Sequence, residues 1–192
     1  MAIMMSYLGD QTGVYRAMDK LGSAGVSAIA AEAKVDERYL KEWLASNAAR
    51  GYVSYDAEAD KFSLTPEQAS VFARESEPTC IQGLIQGVVG QFVKEDVAID
   101  VFKTGRGRPW GEHHECCFCG TERFFRPAYA GHLLDEWIPA LDGVEDKLKL
   151  GAKVADIGCG LGTSSILMAE QFPNSTIHAF DFHGPSIEEA KK

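Results

Sequence analysis

Residues 154–183, VADIGCGLGTSSILMAEQFPNSTIHAFDFH, decide the fold of the C-terminal part of the chain. Val154, Ala155 and Ile157 make a short apolar strand that carries Asp156. Gly158-Cys159-Gly160-Leu161-Gly162 turns that strand into the helix TSSILMAEQF. Pro173 and Asn174 stop the helix, and STIHAF forms a second strand ending at Asp181. Strand, glycine turn, helix, strand is a βαβ unit. The glycines let the backbone bend sharply and approach a ligand with no Cβ in the way, while the helix N-terminus offers unpaired N–H groups.

Asp181, about 20 residues beyond the turn, stands where the acidic residue of a dinucleotide fold accepts hydrogen bonds from ribose hydroxyls. The glycine spacing is GxGxG rather than GxGxxG. In that form, DIGCGLG at 156–162 resembles the first motif of the class I S-adenosylmethionine-dependent methyltransferases, and FPN…I-AFD at 172–181 resembles the second strand of the same family. The resemblance implies S-adenosylmethionine as cofactor, with Asp156 as the acidic start of the motif. It implies that Gly158, Cys159 and Gly160 line the methionine and ribose portion, that Asp181 holds the ribose and that Phe182 lies against adenine.

Working back toward the N-terminus, KLKLGAK reads as a linker into the first strand, and Pro127 to Leu141 reads as a helix with Leu133, Leu134, Trp137 and Ile138 on its apolar side. Residues 104–126 read as a loop that re-enters helix near Glu122. The segment CIQGLIQGVVGQFVKEDVAIDVFKTG, 80–105, is long, apolar and punctuated by Gly83, Gly87 and Gly90. Glycine at such spacing lets another helix approach closely, although each costs about 1 kcal/mol against Ala. Burial against a second subunit is the preferred explanation, an intrachain contact the alternative.

Residues 5–21 read as one helix stopped by Gly22, Ser27 as the cap of a short helix through Ala33, and Asp36 as the cap of a longer helix carrying Tyr39, Leu40, Trp43, Leu44 and Ala48. YVSYDAEADKFSLT then alternates around a polar turn, as a two-stranded ribbon does. Three helices and a ribbon make a winged helix-turn-helix, which resembles the N-terminal domain of small-molecule O-methyltransferases as closely as it resembles transcription regulators. With GTERFFRPAYAGHLLDEWIPALDG, the start resembles a bacterial group of two-domain methyltransferases.

Charge bears on that choice. The 192-residue chain has 19 Lys and Arg against 28 Asp and Glu, a net −9, and residues 1–76 alone hold 8 against 11. The second helix-turn-helix helix pairs Glu37 and Glu42 with Arg38 and Lys41, and the ribbon tip carries Asp56, Glu58 and Asp60, where phosphate contacts want cations. A packing and dimerisation module is therefore favoured over a DNA-binding regulator, which stands as the alternative together with a dimerisation module lacking catalysis. No apolar run approaches the roughly 20 residues of a membrane span, and the start has no basic and apolar leader pattern, so a cytoplasmic protein is expected.

EHHECCFCG, 112–120, gathers His113, His114, Cys116, Cys117 and Cys119. Thiolate and imidazole suit zinc, yet the paired CxxC knuckles of structural sites are missing, so no metal is expected and the stretch reads as a flexible lid or linker near the cofactor mouth. His113 or His114 as a base over the acceptor needs a partner carboxylate that the sequence does not fix. His132 and His178 read as packing residues, and helix packing is likewise the first reading of Arg126 and Tyr129, reach to the cofactor the second. Cys159 has no evident activating base and reads as a small residue chosen for fit.

The expected architecture is mixed: an α-rich winged-helix dimerisation domain at 1–76, a helical linker and lid at 77–150, and the first βαβ part of a Rossmann-like cofactor domain at 151–192. The expected partners are a small-molecule methyl acceptor and a second copy of the chain, met through the N-terminal domain and the glycine-rich helix 80–103, with no nucleic acid and no membrane. Only nine residues follow His183. The acceptor site and catalytic base that the resemblance places after the second strand are thus expected to be absent, the chain to be C-terminally truncated, and catalysis by it alone to be incomplete.

Overall fold

A computed structural model describes all residues, Met1–Lys192. It divides into two compact units, Met1–Val89 and Gly90–Lys192.

The first unit opens with α1 (Ala2–Gln11) and α2 (Val14–Leu21). These are two helices where the apolar spacing predicts one, because Gly13 adopts φ 74° and turns the chain between them. Next come α3 (Val26–Ala33) and α4 (Glu37–Ala48). Ser27 lies inside α3, with Gly25 in the capping position, and its hydroxyl donates to Glu37 Oε1 at 2.5 Å. Asp36 caps α4 as expected, its Oδ1 accepting from the Tyr39 amide at 3.0 Å. The wing is β1 (Ser54–Asp56) paired antiparallel with β2 (Lys61–Ser63), and Ala24 and Phe62 exchange backbone hydrogen bonds to add a third, one-residue rung.

The core of this unit forms because the apolar faces of α2 to α5 (Pro66–Phe72 for α5) converge. Tyr15, 1% exposed, stacks on Phe72 and meets Trp43 edge-on, each at 5.0 Å between ring centres. Met18, Ile29 and Leu44 are fully enclosed beside them. Asn47, also enclosed, donates to the Trp43 carbonyl at 2.8 Å, so the buried amide keeps a partner.

The apolar stretch after residue 80 is again two helices, α6 (Gln82–Val93) and α7 (Glu95–Thr104), separated where Lys94 leaves helical geometry at φ −115°, ψ 37°. In the second unit, a 3₁₀ turn at Trp110–Glu112 leads to α8 (Glu115–Ala128). The expected loop is thus replaced by helix from Glu115 onward. His114 makes this possible by capping, its Nδ1 accepting from the Cys116 amide at 3.3 Å. Within this unit the helix lies close to Gly90: a Cβ there would sit 2.7 Å from Cys117 Sγ. At Gly90, close approach is therefore made within the chain.

The helix expected from Pro127 does not start there. Pro127 lies inside α8, and the chain then widens into a π-helix at Tyr129–Trp137. The KLKLGAK linker is also partly helical, within α9 (Val144–Leu150). The βαβ unit follows as expected: β3 (Lys153–Ile157), α10 (Thr163–Gln171) and β4 (Thr176–Phe180), with Val154 opposite Ile177 and Ile157 opposite Phe180 in a parallel pair. Ile138, Leu148 and Phe172 form the buried centre, joined by Leu133, Leu134, Val154 and Met168. The FPN break is tied down where Asn174 Nδ2 donates to the Lys149 carbonyl and Ser175 Oγ to that of Leu148, at 2.8 and 2.7 Å. A last helix, α11 (Gly184–Ala190), follows His183.

Candidate functional site

Three glycines in left-handed conformation, Gly158 (φ 81°), Gly160 (φ 57°) and Gly162 (φ 83°), turn β3 into α10. L side chains rarely adopt this backbone, and a Cβ at Gly158 or Gly160 would meet nothing within 4 Å, so the turn presents bare backbone to open space. The Phe180 carbonyl accepts from the amides of Gly158 (2.7 Å) and Cys159 (3.0 Å), pinning the turn to the end of β4. Asp156 Oδ2 accepts from the hydroxyls of Ser164 and Ser165, both at 2.7 Å, in the first turn of α10. This carboxylate thus fixes the angle between strand and helix.

Asp181 closes the other side. Its Oδ2 accepts from the Gly160 amide at 2.9 Å and its Oδ1 from the His183 amide at 2.8 Å. Phe182 beside it is exposed.

Beneath the turn lies a cavity of about 290 Å³. Asp156, Gly158, Cys159 and Gly160 line it, whereas Asp181 and Phe182 stand outside its wall. The opposite wall comes from α8 and its flanks: Trp110, Phe118, Thr121, Glu122, Phe125 and Tyr129. Of these, the sequence reading singles out only Tyr129. Their spacing along α8, at 118, 121/122, 125 and then 129, is one face of a helix, and that periodicity is the signal that could have found them. Glu122 Oε1 accepts from Thr163 Oγ1 at 3.2 Å and pairs with Arg126 Nε at 3.6 Å. Arg126 therefore acts on this wall through Glu122.

The thiols near the site are tuned away from nucleophilic chemistry. Burial pushes the Cys159 thiol up, and the carboxylates of Asp156 and Asp181 push it further. Such a thiol stays protonated and behaves as a small apolar side chain. Burial likewise raises Cys117 and Cys119. His113 is pulled down by burial first and the Arg108 guanidinium second; it faces Gln91 Nε2 at 3.2 Å and the Trp110 ring. Neither His113 nor the capping His114 lines the cavity. No three His, Cys, Asp or Glu side chains of the chain converge in a group fit for a metal ion.

The parts together are a winged-helix domain followed by a Rossmann-like βαβ unit. Residues 1–74 match the family model of the Rv2258c-like winged HTH domain. Among solved structures, human N-acetylserotonin methyltransferase in complex with SAM is similar at 17% identity and TM-score 0.63, over 100% of this chain and 58% of that one. The mitomycin 7-O-methyltransferase MmcR is similar at 16% identity and TM-score 0.64, over 98% and 56%. PigF with SAH is similar at 14% identity and TM-score 0.62, over 94% and 55%. The chain thus spans little more than half the length of these structures. No curated protein sequence matches it. No helix is long and apolar enough to cross a membrane.

Proposed function

We propose that the second unit binds S-adenosylmethionine under its glycine turn and that the protein serves methyl transfer to a small-molecule acceptor. The observation that carries this reading is the cavity bounded by Gly158 and Gly160 with Asp156 at its base. The residues present fit the cofactor. The bare turn admits close approach; in this reading Asp181, just after β4 and beside the cavity, is offered to ribose hydroxyls, and exposed Phe182 to adenine. When bound, the cofactor supplies an electrophilic methyl group on a sulfonium. The chain's own residues then act by position: the glycine turn excludes side chains, Asp156 holds the turn on α10, and Asp181 holds Gly160 in place.

In this reading residues 1–76 form a dimerisation domain, 77–150 a linker and lid, and 151–192 part of the cofactor domain, in a cytoplasmic protein that takes neither nucleic acid nor membrane as partner. Support for a homodimer comes from α7, which has no buried residue, and from exposed Phe92, Val93, Ile99 and Phe102 along 80–103. A second apolar groove lies in the first unit between Met5, Leu8, Tyr39 and Trp43. Isothermal titration calorimetry of the chain with S-adenosylmethionine tests the central claim. Saturable binding that is lost in Gly158→Val is expected; heats no larger than dilution for the unsubstituted chain refute it.

A further inference from the structure

The cavity under the glycine turn is lined by two carboxylates, Asp156 and Glu122, and four aromatic rings, Trp110, Phe118, Phe125 and Tyr129, with no Lys, Arg or His side chain on its wall. The two carboxylates are not equivalent. Asp156 is engaged by two serine hydroxyls at 2.7 Å, whereas Glu122, its side chain 16% exposed, has one hydroxyl at 3.2 Å and a long pairing with half-exposed Arg126 at 3.6 Å. A partly enclosed carboxylate among ring faces is a receptor for a cation, because ring quadrupole and carboxylate attract the same sign of charge.

We propose that Glu122 and the α8 aromatic wall read the positive charge of the bound methyl donor, so that the site prefers the sulfonium form to its neutral thioether product. The inference rests on the cofactor reading above. In the transfer, the carbon–sulfur bond breaks as the acceptor's lone pair bonds the methyl carbon. The C–S electron pair returns to sulfur and the acceptor's proton passes to solvent. The site thereby loses one positive charge, and with it the attraction of Glu122. Glu122 is a specificity residue that favours exchange of product for fresh donor, and Arg126 is its attenuator.

The test is calorimetric affinity of the chain for three probes: S-adenosylmethionine, S-adenosylhomocysteine and the cationic amine analogue sinefungin. Loss of one unit charge's attraction in a half-solvated site corresponds to roughly a tenfold change in affinity. Glu122→Gln is expected to weaken both cationic probes about tenfold and to leave S-adenosylhomocysteine within about twofold. Arg126→Gln is expected to act in the opposite sense, widening the preference for the cationic probes, and it carries the test by itself if Glu122→Gln fails to give a native circular dichroism spectrum. Equal losses for all three probes in Glu122→Gln, or an unchanged ratio in Arg126→Gln, overturn the proposal while leaving the cofactor reading intact. No binding of any probe to the unsubstituted chain overturns both.

Discussion

Of the three glycines in helix α6, Gly87 and Gly90 lie about one turn apart in different surroundings, and the same substitution should therefore act with opposite signs. At Gly87 a Cβ would meet nothing within 4 Å. Gly87→Ala removes backbone freedom from the unfolded chain and should stabilise by about 0.5–1 kcal/mol. At Gly90 a Cβ would lie 2.7 Å from Cys117 Sγ, 3.0 Å from the Cys117 backbone N and 3.2 Å from Cys116 Cβ. The sulfur can rotate away, but the Cys117 backbone N belongs to α8, so the two helices must part. Such overpacking costs about 1–3 kcal/mol, which exceeds the helix-propensity gain and leaves Gly90→Ala destabilising by about 1–2 kcal/mol. Urea unfolding followed by circular dichroism, at two protein concentrations so that assembly is separated from folding, measures both. The expected spread between the variants is about 2 kcal/mol, or several degrees in Tm. Destabilisation by both, or stabilisation by both, would refute the contact at Gly90 as the reason for glycine there.

Two further outcomes follow from the same structure. Burial pushes the Tyr15 phenol up to about 12, with only partial relief from its hydrogen bond to Ser6. The unfolded chain titrates near 10, so it sheds this proton first, and stability present below pH 10 should fall by up to about 3 kcal/mol as pH rises toward 12. Tyrosinate absorbance lost selectively in Tyr15→Phe checks the assignment, and a transition unchanged in Tyr15→Phe counts against it. Ile99 and Phe102, 51% and 92% exposed, lie three residues apart on α7. If α7 meets a second copy, Phe102→Glu should shift sedimentation from dimer to monomer without changing the Tm of the isolated monomer; an unshifted dimer removes α7 from the interface.

The sequence exposes some of these features and hides others for physical reasons. The βαβ unit is legible because each part has its own local cause: β-formers, glycines at positive φ, and a Pro-Asn stop, with Gly158, Gly160 and Gly162 all left-handed. The Asp36 cap is legible for the same reason. Breaks inside apolar periodicity are not. The pattern of residues 5–21 runs straight across Gly13, and that of 80–105 across Lys94, because hydrophobic spacing records which face is buried and says little about where the axis turns. Helix α8 is hidden differently. Its inner face is built from Cys116, Cys117 and Gly120, buried small groups that suit close contact with Gly90 and read as a metal-like cluster when their helical register is unknown. Its cap is a histidine, outside the usual Ser, Thr, Asp and Asn. Without that register, the wall formed by Phe118, Glu122 and Phe125 cannot be assembled.

One continuous segment, α8 and the π-helix after it, serves both the cavity and the core. Pro127 has no N–H to give the Arg123 carbonyl, so the α-helical ladder is interrupted there. The chain continues with wider turns, shown by the Ile138 amide reaching five residues back to the Leu133 carbonyl at 3.0 Å. Past this point Leu133, Leu134 and Ile138 pack with Phe172 in the core. Tyr129 stays on the cavity wall while the leucines meet the core. A π-helix at such a place is a familiar mark of a functional site.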